Sequence, residues 1–93
     1  MKKTVLIVDD SRGNLYLLKS IMEVRGWVVF EAENGKDALE IARVRRPGLI
    51  ISDILMPVMD GYGLCRECKK DKILRDIPFV FYTATYTESK DEK

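Results

Sequence analysis

Four oxygen-bearing side chains stand where three apolar runs stop: Asp9 and Asp10 after Thr4-Val5-Leu6-Ile7-Val8, Asp53 after Leu49-Ile50-Ile51-Ser52, and Thr83 after Phe79-Val80-Phe81-Tyr82. Singly, each has a plain alternative, because Asp, Ser and Thr after a strand commonly cap helices or form turns. Jointly they outline a site. If the runs are neighbouring strands about 4.8 Å apart, the three carboxylates converge closely enough to repel and to raise one another's pKa. Such a cluster calls for a cation. The chain has no histidine and its cysteines lie elsewhere, so the ligands are all hard oxygen, the donor set of magnesium or manganese rather than zinc or copper.

Magnesium keeps waters and bridges carboxylates to phosphate oxygens, which suits phosphoryl chemistry. An aspartate can itself attack a phosphoryl group and give an aspartyl phosphate, with the Thr83 hydroxyl donating to one of its oxygens. Elementary chemistry leaves open which carboxylate attacks. Motifs for other phosphate sites are missing: there is no G-x-x-x-x-G-K-[ST], and no G-x-G-x-x-G follows a strand. A haloacid-dehalogenase-type phosphatase would need a second aspartate two residues beyond Asp53, where Leu55 stands.

The elements that must position these groups follow from hydrophobic spacing. Thr4–Val8 has the continuous β-branched pattern of a strand buried on both faces of a parallel sheet. Leu15, Leu18 and Met22 recur at helical spacing and predict a helix over Asn14–Arg25, ended by Gly26. Trp27–Ala32 reads as a second strand. Asn34-Gly35 could turn a hairpin, but Ala38, Leu39, Ile41, Ala42 and Val44 follow at helical spacing, so Asn34 begins a second helix that Arg46-Pro47-Gly48 ends. Leu49–Asp53 is a third strand, Ile54–Met59 a loop, Gly61–Lys70 a third helix and Phe79–Thr83 a fourth strand. The polar remainder, Ala84–Lys93, holds at most the first turn of another helix. Alternating strands and helices of this kind make an open α/β parallel sheet with helices on both faces.

Cys65 and Cys68 form a C-x-x-C that invites a redox or zinc reading. No histidine and no second cysteine pair completes a tetrahedral site. Their spacing puts both on one face of the third helix, where cysteine acts as a small hydrophobe.

Ninety-three residues make a single domain over 1–93, shorter than the usual range of about 100–150. A formal charge of +1, from 16 basic and 15 acidic residues, gives no net field toward nucleic acid or an anionic membrane. No direct nucleic-acid or membrane binding is expected. The apolar runs fall short of the roughly 18 residues of a membrane span, and Lys2-Lys3 leads straight into a strand rather than a signal sequence, so a cytoplasmic location is the expectation.

With these residues in place, the chain resembles the receiver domain of two-component response regulators. V-L-I-V-D-D-S (5–11) is similar to the family's acidic pair after strand one. D-I-L-M-P-V-M-D-G (53–61) is similar to its phosphoacceptor strand and loop, and F-V-F-Y-T-A-T (79–85) to its fourth strand with a hydroxyl. The resemblance covers essentially the whole chain in order and spacing. It implies a flavodoxin-like fold in which Asp53 is the phosphoacceptor, Asp10 a direct magnesium ligand and Asp9 an acid holding a metal-bound water. It also implies that the backbone carbonyl of Leu55 completes the protein's share of the coordination, that Thr83 binds the phosphoryl group and shifts as the switch, and that Ala84 leaves room for it. Pro57, Asp60 and Gly61 then have structural roles in shaping the loop and starting the third helix. The implied activity is acceptance of a phosphoryl group from a histidine kinase or histidine phosphotransfer protein, not turnover catalysis. Arg12, Asn14, Leu15 and Leu18 are candidate contacts for that partner, with core packing as the alternative for the two leucines.

The resemblance also implies a fourth helix, a fifth strand bearing a lysine that pairs with the phosphoryl group, and a last helix. This chain reaches Lys93 before all three, and Lys90 and Lys93 take no such role. The expectation is therefore a receiver domain incomplete at its C-terminal side, either a fragment of a longer protein or a homodimer through the edge of strand four. Without the lysine, the metal alone would neutralise charge on phosphorylated Asp53, weakening phosphorylation and its coupling to any conformational change. A module that dimerises or binds partners without phosphorylation is the alternative reading.

Overall fold

The computed structural model describes residues 3–56 and 58–82. Its elements alternate along the chain as β1 (Thr4–Val8), α1 (Arg12–Val24), β2 (Val28–Ala32), α2 (Gly35–Arg45), β3 (Leu49–Asp53), α3 (Gly61–Lys70) and β4 (Phe79–Tyr82). All strand pairings are parallel, in the order β2-β1-β3-β4. This is the flavodoxin-like arrangement implied by the resemblance.

The continuous apolar run of β1 belongs at the centre of the sheet, where helices cover both faces and neither can present polar residues. Val5, Leu6, Ile7 and Val8 are fully buried. The strand period of two then sorts the core. Leu6, Val8 and Ile50 pack with Ala38, Leu39 and Ala42 of α2 and Leu64 and Cys68 of α3. Val5 and Ile7 face the other way, against Leu15 of α1, with Leu18, Met22, Leu49 and Ile51 around them. Both faces of the C-x-x-C question resolve here: the cysteines are unbonded, Cys68 is buried among these side chains, and burial pushes its thiol up to about 11. A thiol held protonated in apolar surroundings is a packing group.

Each helix starts on a polar cap. Ser11, Asn34 and Asp60 accept from the backbone N–H groups of Asn14, Asp37 and Gly63. The Ser11 cap makes α1 begin at Arg12 rather than Asn14. Trp27 is not part of β2, because its N–H is drawn back to the Met22 carbonyl at 3.1 Å in the turn that ends α1. The third helix and third strand have the bounds that spacing predicts. Arg46 ends α2 in the left-handed region, with φ 46° and its N–H on the Ala42 carbonyl. The fourth strand is described to Tyr82, so Thr83, Ala84 and the residues after them, like Pro57, lie outside the described residues.

One close approach fixes how α3 returns to the sheet. The Gly61 N–H bonds the Ile54 carbonyl at 2.9 Å, which presses the first residue of α3 onto the end of β3. A Cβ at Gly61 would lie 2.4 Å from the Asp53 carbonyl oxygen and 3.0 Å from the Ile54 Cα. Both neighbours are backbone and cannot swing aside. Gly61→Ala is therefore expected to destabilise the fold by about 1–3 kcal/mol, the cost of overpacking. Gly13→Ala, whose Cβ would meet only Ser11 Oγ at 3.8 Å, should instead stabilise by about 0.5–1 kcal/mol through helix propensity. Denaturant melts of the two variants against wild type check both signs.

Candidate functional site

The parallel register brings the carboxyl ends of three strands level. Ile7, Ile51 and Val80 are aligned across β1, β3 and β4, and Asp53 is paired with Tyr82 two rows further on. Counting two residues on from Ile7 places Asp9 in that same row and on that same face. Asp9, Asp53 and Tyr82 thus lie side by side on the α1 side of the sheet, just beyond its apolar core.

Oxygen atoms of Asp9, Asp10 and Asp53 all lie within 4.8 Å of one another. Two of these carboxylates are out of solvent, Asp9 at 0% and Asp53 at 2% exposure, whereas Asp10 is exposed. The burial is compensated by donors. Asp9 Oδ1 accepts from the Ser11 N–H at 2.8 Å, and Oδ2 accepts from Asn14 Nδ2 at 3.0 Å and from the Tyr82 hydroxyl. Asp53 is favoured as an anion by the backbone N–H groups of Leu55 and Ile54, but burial above all, then the charges of Asp9 and Asp10, push its carboxyl above the ordinary carboxylate range. Tyr82 moves the same way: burial first, then its bond to Asp9 and the surrounding charges, raise its hydroxyl and keep it a donor. Among the described residues no ion pair reaches the three carboxylates.

The donor set is therefore three hard carboxylates, close together and short of positive charge. A small divalent cation fits it: magnesium takes oxygen ligands, keeps part of its water shell and is commonly held by one or two carboxylates. The structure brings together Asp9, Asp10 and Asp53 as the sequence suggests and puts Leu55, exposed, beside them on the loop after β3. Thr83 and Pro57 fall outside the described residues. Asp60 and Gly61 cap and seat α3, a structural role.

Of the candidate partner contacts, Leu15 is in the core at 2% exposure and Leu18 packs against it. Arg12 is on the surface, paired with Glu33 at 3.2 Å. Asn14 is turned inward to Asp9, which spacing alone did not indicate. Tyr82 is the residue that sequence reasoning missed. Its signal was present: a hydroxyl inside an otherwise apolar strand, at the position paired with Asp53.

The chain matches the family model described as response regulator receiver domain over residues 5–93. It is 36% identical over 93 residues to the polar-differentiation response regulator DivK of Brucella anthropi, covering 100% of this chain and 76% of that one. It is 37% identical over 83 residues to the probable transcriptional regulator ycf27 of Porphyra purpurea, covering 89% of this chain but 33% of that protein. The chain thus spans about a third of the length of the ycf27 proteins it matches. Among solved structures, the receiver domain of the sensor histidine kinase PA1611 from Pseudomonas aeruginosa PAO1 superposes with a TM-score of 0.85, at 26% identity, covering 100% of this chain and 76% of that one. That domain holds a magnesium ion coordinated in its active site cleft.

The raised pKa of Asp53 has a consequence for stability. The folded chain binds its proton more tightly than the unfolded chain does, so in the absence of a divalent cation the ionised carboxylate costs stability at neutral pH. Stability from this group is lost as pH rises through the folded value and regained as pH falls toward the unfolded one. Asp53→Asn, measured by thermal melts in chelator, should be more stable than wild type at pH 7 by on the order of 1 kcal/mol. The gap should close as pH is lowered, and an unchanged melting temperature across that range would contradict the assigned burial cost.

Proposed function

This chain belongs to the response regulator receiver domain family, and on that premise we propose that it receives a phosphoryl group on Asp53 from the phosphohistidine of a histidine kinase or histidine phosphotransfer protein. A receiver domain of two-component signalling has its chemistry in a carboxylate nucleophile and the groups that balance its charge. The observation that carries the assignment to Asp53 is its position at the end of the interior strand β3: it is buried like Asp9 but without the three donors that hold Asp9, and the oxygen atoms of Asp9 and Asp10 stand within 4.8 Å of its own.

In the transfer, an Asp53 carboxylate oxygen attacks phosphorus, the phosphorus–nitrogen bond breaks, and its electron pair stays on the donor imidazole. The chain has no histidine of its own, so the donor comes from elsewhere. Magnesium, bound through Asp10, Asp53, the Leu55 carbonyl and a water held by Asp9, would supply positive charge to the transferring oxygens. The remaining work belongs to the chain. Leu55 and Ile54 N–H groups favour the Asp53 anion and partly offset its burial, and the Ser11 and Asn14 donors hold Asp9 in place. The Thr83 hydroxyl, next in sequence after Tyr82, would bind a phosphoryl oxygen. Manganese has the same oxygen preference and would substitute.

The chain is read as a phosphoacceptor rather than an enzyme that turns over, because none of these groups is set to activate water. Among the described residues no helix is long and apolar enough to cross a membrane. The intact acidic cluster weighs against a module that works without phosphorylation.

Incubation with a small phosphodonor and magnesium, followed by intact mass measurement, tests the reading. A labile phosphoryl adduct is expected on wild type and not on Asp53→Asn, and chelation of magnesium should suppress it. Equal labelling of both proteins would sink the assignment of Asp53. No labelling of either would overturn phosphoacceptance itself.

A further inference from the structure

The Tyr82 hydrogen bond sits across the path by which the site must work. Tyr82 stands on β4 and Asp9 follows β1, with β3 between them. To reach Asp9, the phenol spans the end of β3 on the face that carries Asp53, its register partner. Half-buried itself, it stands close enough to Asp53, which is 2% exposed, for that carboxylate's charge to act on its hydroxyl. Its hydroxyl also fills the second lone pair of Asp9 Oδ2. Oδ2 has two lone pairs, one taken by Asn14 and the other by Tyr82, and Oδ1 already accepts from Ser11.

We propose that Tyr82 is a positioning residue that competes with the divalent cation for Asp9: its hydroxyl holds the carboxylate in the metal-free state, and the cation's water must displace it. The inference rests on the acceptor reading above but concerns a residue that reading does not use. Asn14 and Ser11 are anchored in the first turn of α1, so they remain on Asp9 whether or not a cation is bound. Tyr82 is the donor on a long side chain from another strand, free to swing about two torsions. When it leaves, two things change together: an Asp9 lone pair opens toward the cation, and the phenol moves away from Asp53. Cation binding and the surroundings of the phosphoacceptor are thereby linked through one side chain.

The test is a magnesium titration of wild type and Tyr82→Phe, followed by calorimetry and by the aromatic NMR signals, with folding checked by thermal melts. Phenylalanine keeps the ring and its packing, so a merely structural role leaves magnesium affinity unchanged. Competition predicts tighter binding by Tyr82→Phe, by about tenfold if the lost bond to a charged acceptor is at the low end of its usual range. It also predicts that the Tyr82 ring signals of wild type move on saturation. Equal or weaker affinity in Tyr82→Phe, with Asp53 still labelled by phosphodonor, overturns the inference and leaves the acceptor reading standing. Failure of both proteins to bind magnesium, with no labelling, overturns both.

Discussion

Negative charge gathered at one end of a parallel sheet is the constraint on which the rest of this structure depends. Parallel strands feed their carboxyl ends toward the same side, and here three carboxylates arrive within 4.8 Å of one another, two of them out of solvent. Buried anions without partners cost several kcal/mol each even after relaxation. The chain answers unevenly. Asp9 is given three donors, Asp53 is given backbone N–H groups that only partly offset burial, and Asp10 is left to water. The least compensated buried carboxylate is thus the one best placed to gain from a cation or a phosphoryl group.

The same constraint explains features that otherwise look like loop detail. The chain after β3 returns to the strand end it has just left, where the Gly61 N–H bonds the Ile54 carbonyl and a Cβ at Gly61 would lie 2.4 Å from the Asp53 carbonyl oxygen. Asp60 then stands at the start of α3 rather than in the site, its side chain spent on the Gly63 N–H at 2.8 Å. Gly35 serves the loop from the other side: a Cβ there would come within 2.7 Å of the Met59 carbonyl, so the start of α2 leaves space for the loop to lie down. Two glycines, far apart in sequence, make room for one loop. Ser52, buried beside Asp53, turns its hydroxyl to the Asp53 carbonyl and adds no charge.

Much of this was legible because period and position are written into single residues. The buried β1 run could sit only in a central strand, and β3 and α3 took the bounds that their spacing indicates. Asp9, Asp10 and Asp53 were recognisable as a cluster once strand ends were assumed adjacent. What was not legible depends on contacts between elements. Whether Leu15 and Leu18 meet a partner or the core is decided by which way α1 faces, and α1 faces inward. Asn14 reads as an ordinary surface residue until the Ser11 cap starts the helix at Arg12 and turns Asn14 toward Asp9. Tyr82 reads as one more aromatic in an apolar strand, because its partner is two strands away and 73 residues distant in sequence.

That distant contact also shows why hydrogen bonds and cations are rival answers to the same charge. A neutral donor such as a phenol stabilises a carboxylate modestly, by about 1.5–3 kcal/mol when the acceptor is charged, and does so without adding charge. A divalent cation offsets two of the three negative charges at once, but only if carboxylate lone pairs are open to it. A site filled with internal donors would be stable and inert; one with none would be reactive but poorly folded without metal. Dividing the donors of Asp9 between a fixed helix turn and a side chain that can leave avoids both extremes. The backbone and Asn14 hold the geometry, and the one donor that comes from another strand is Tyr82, the register partner of Asp53.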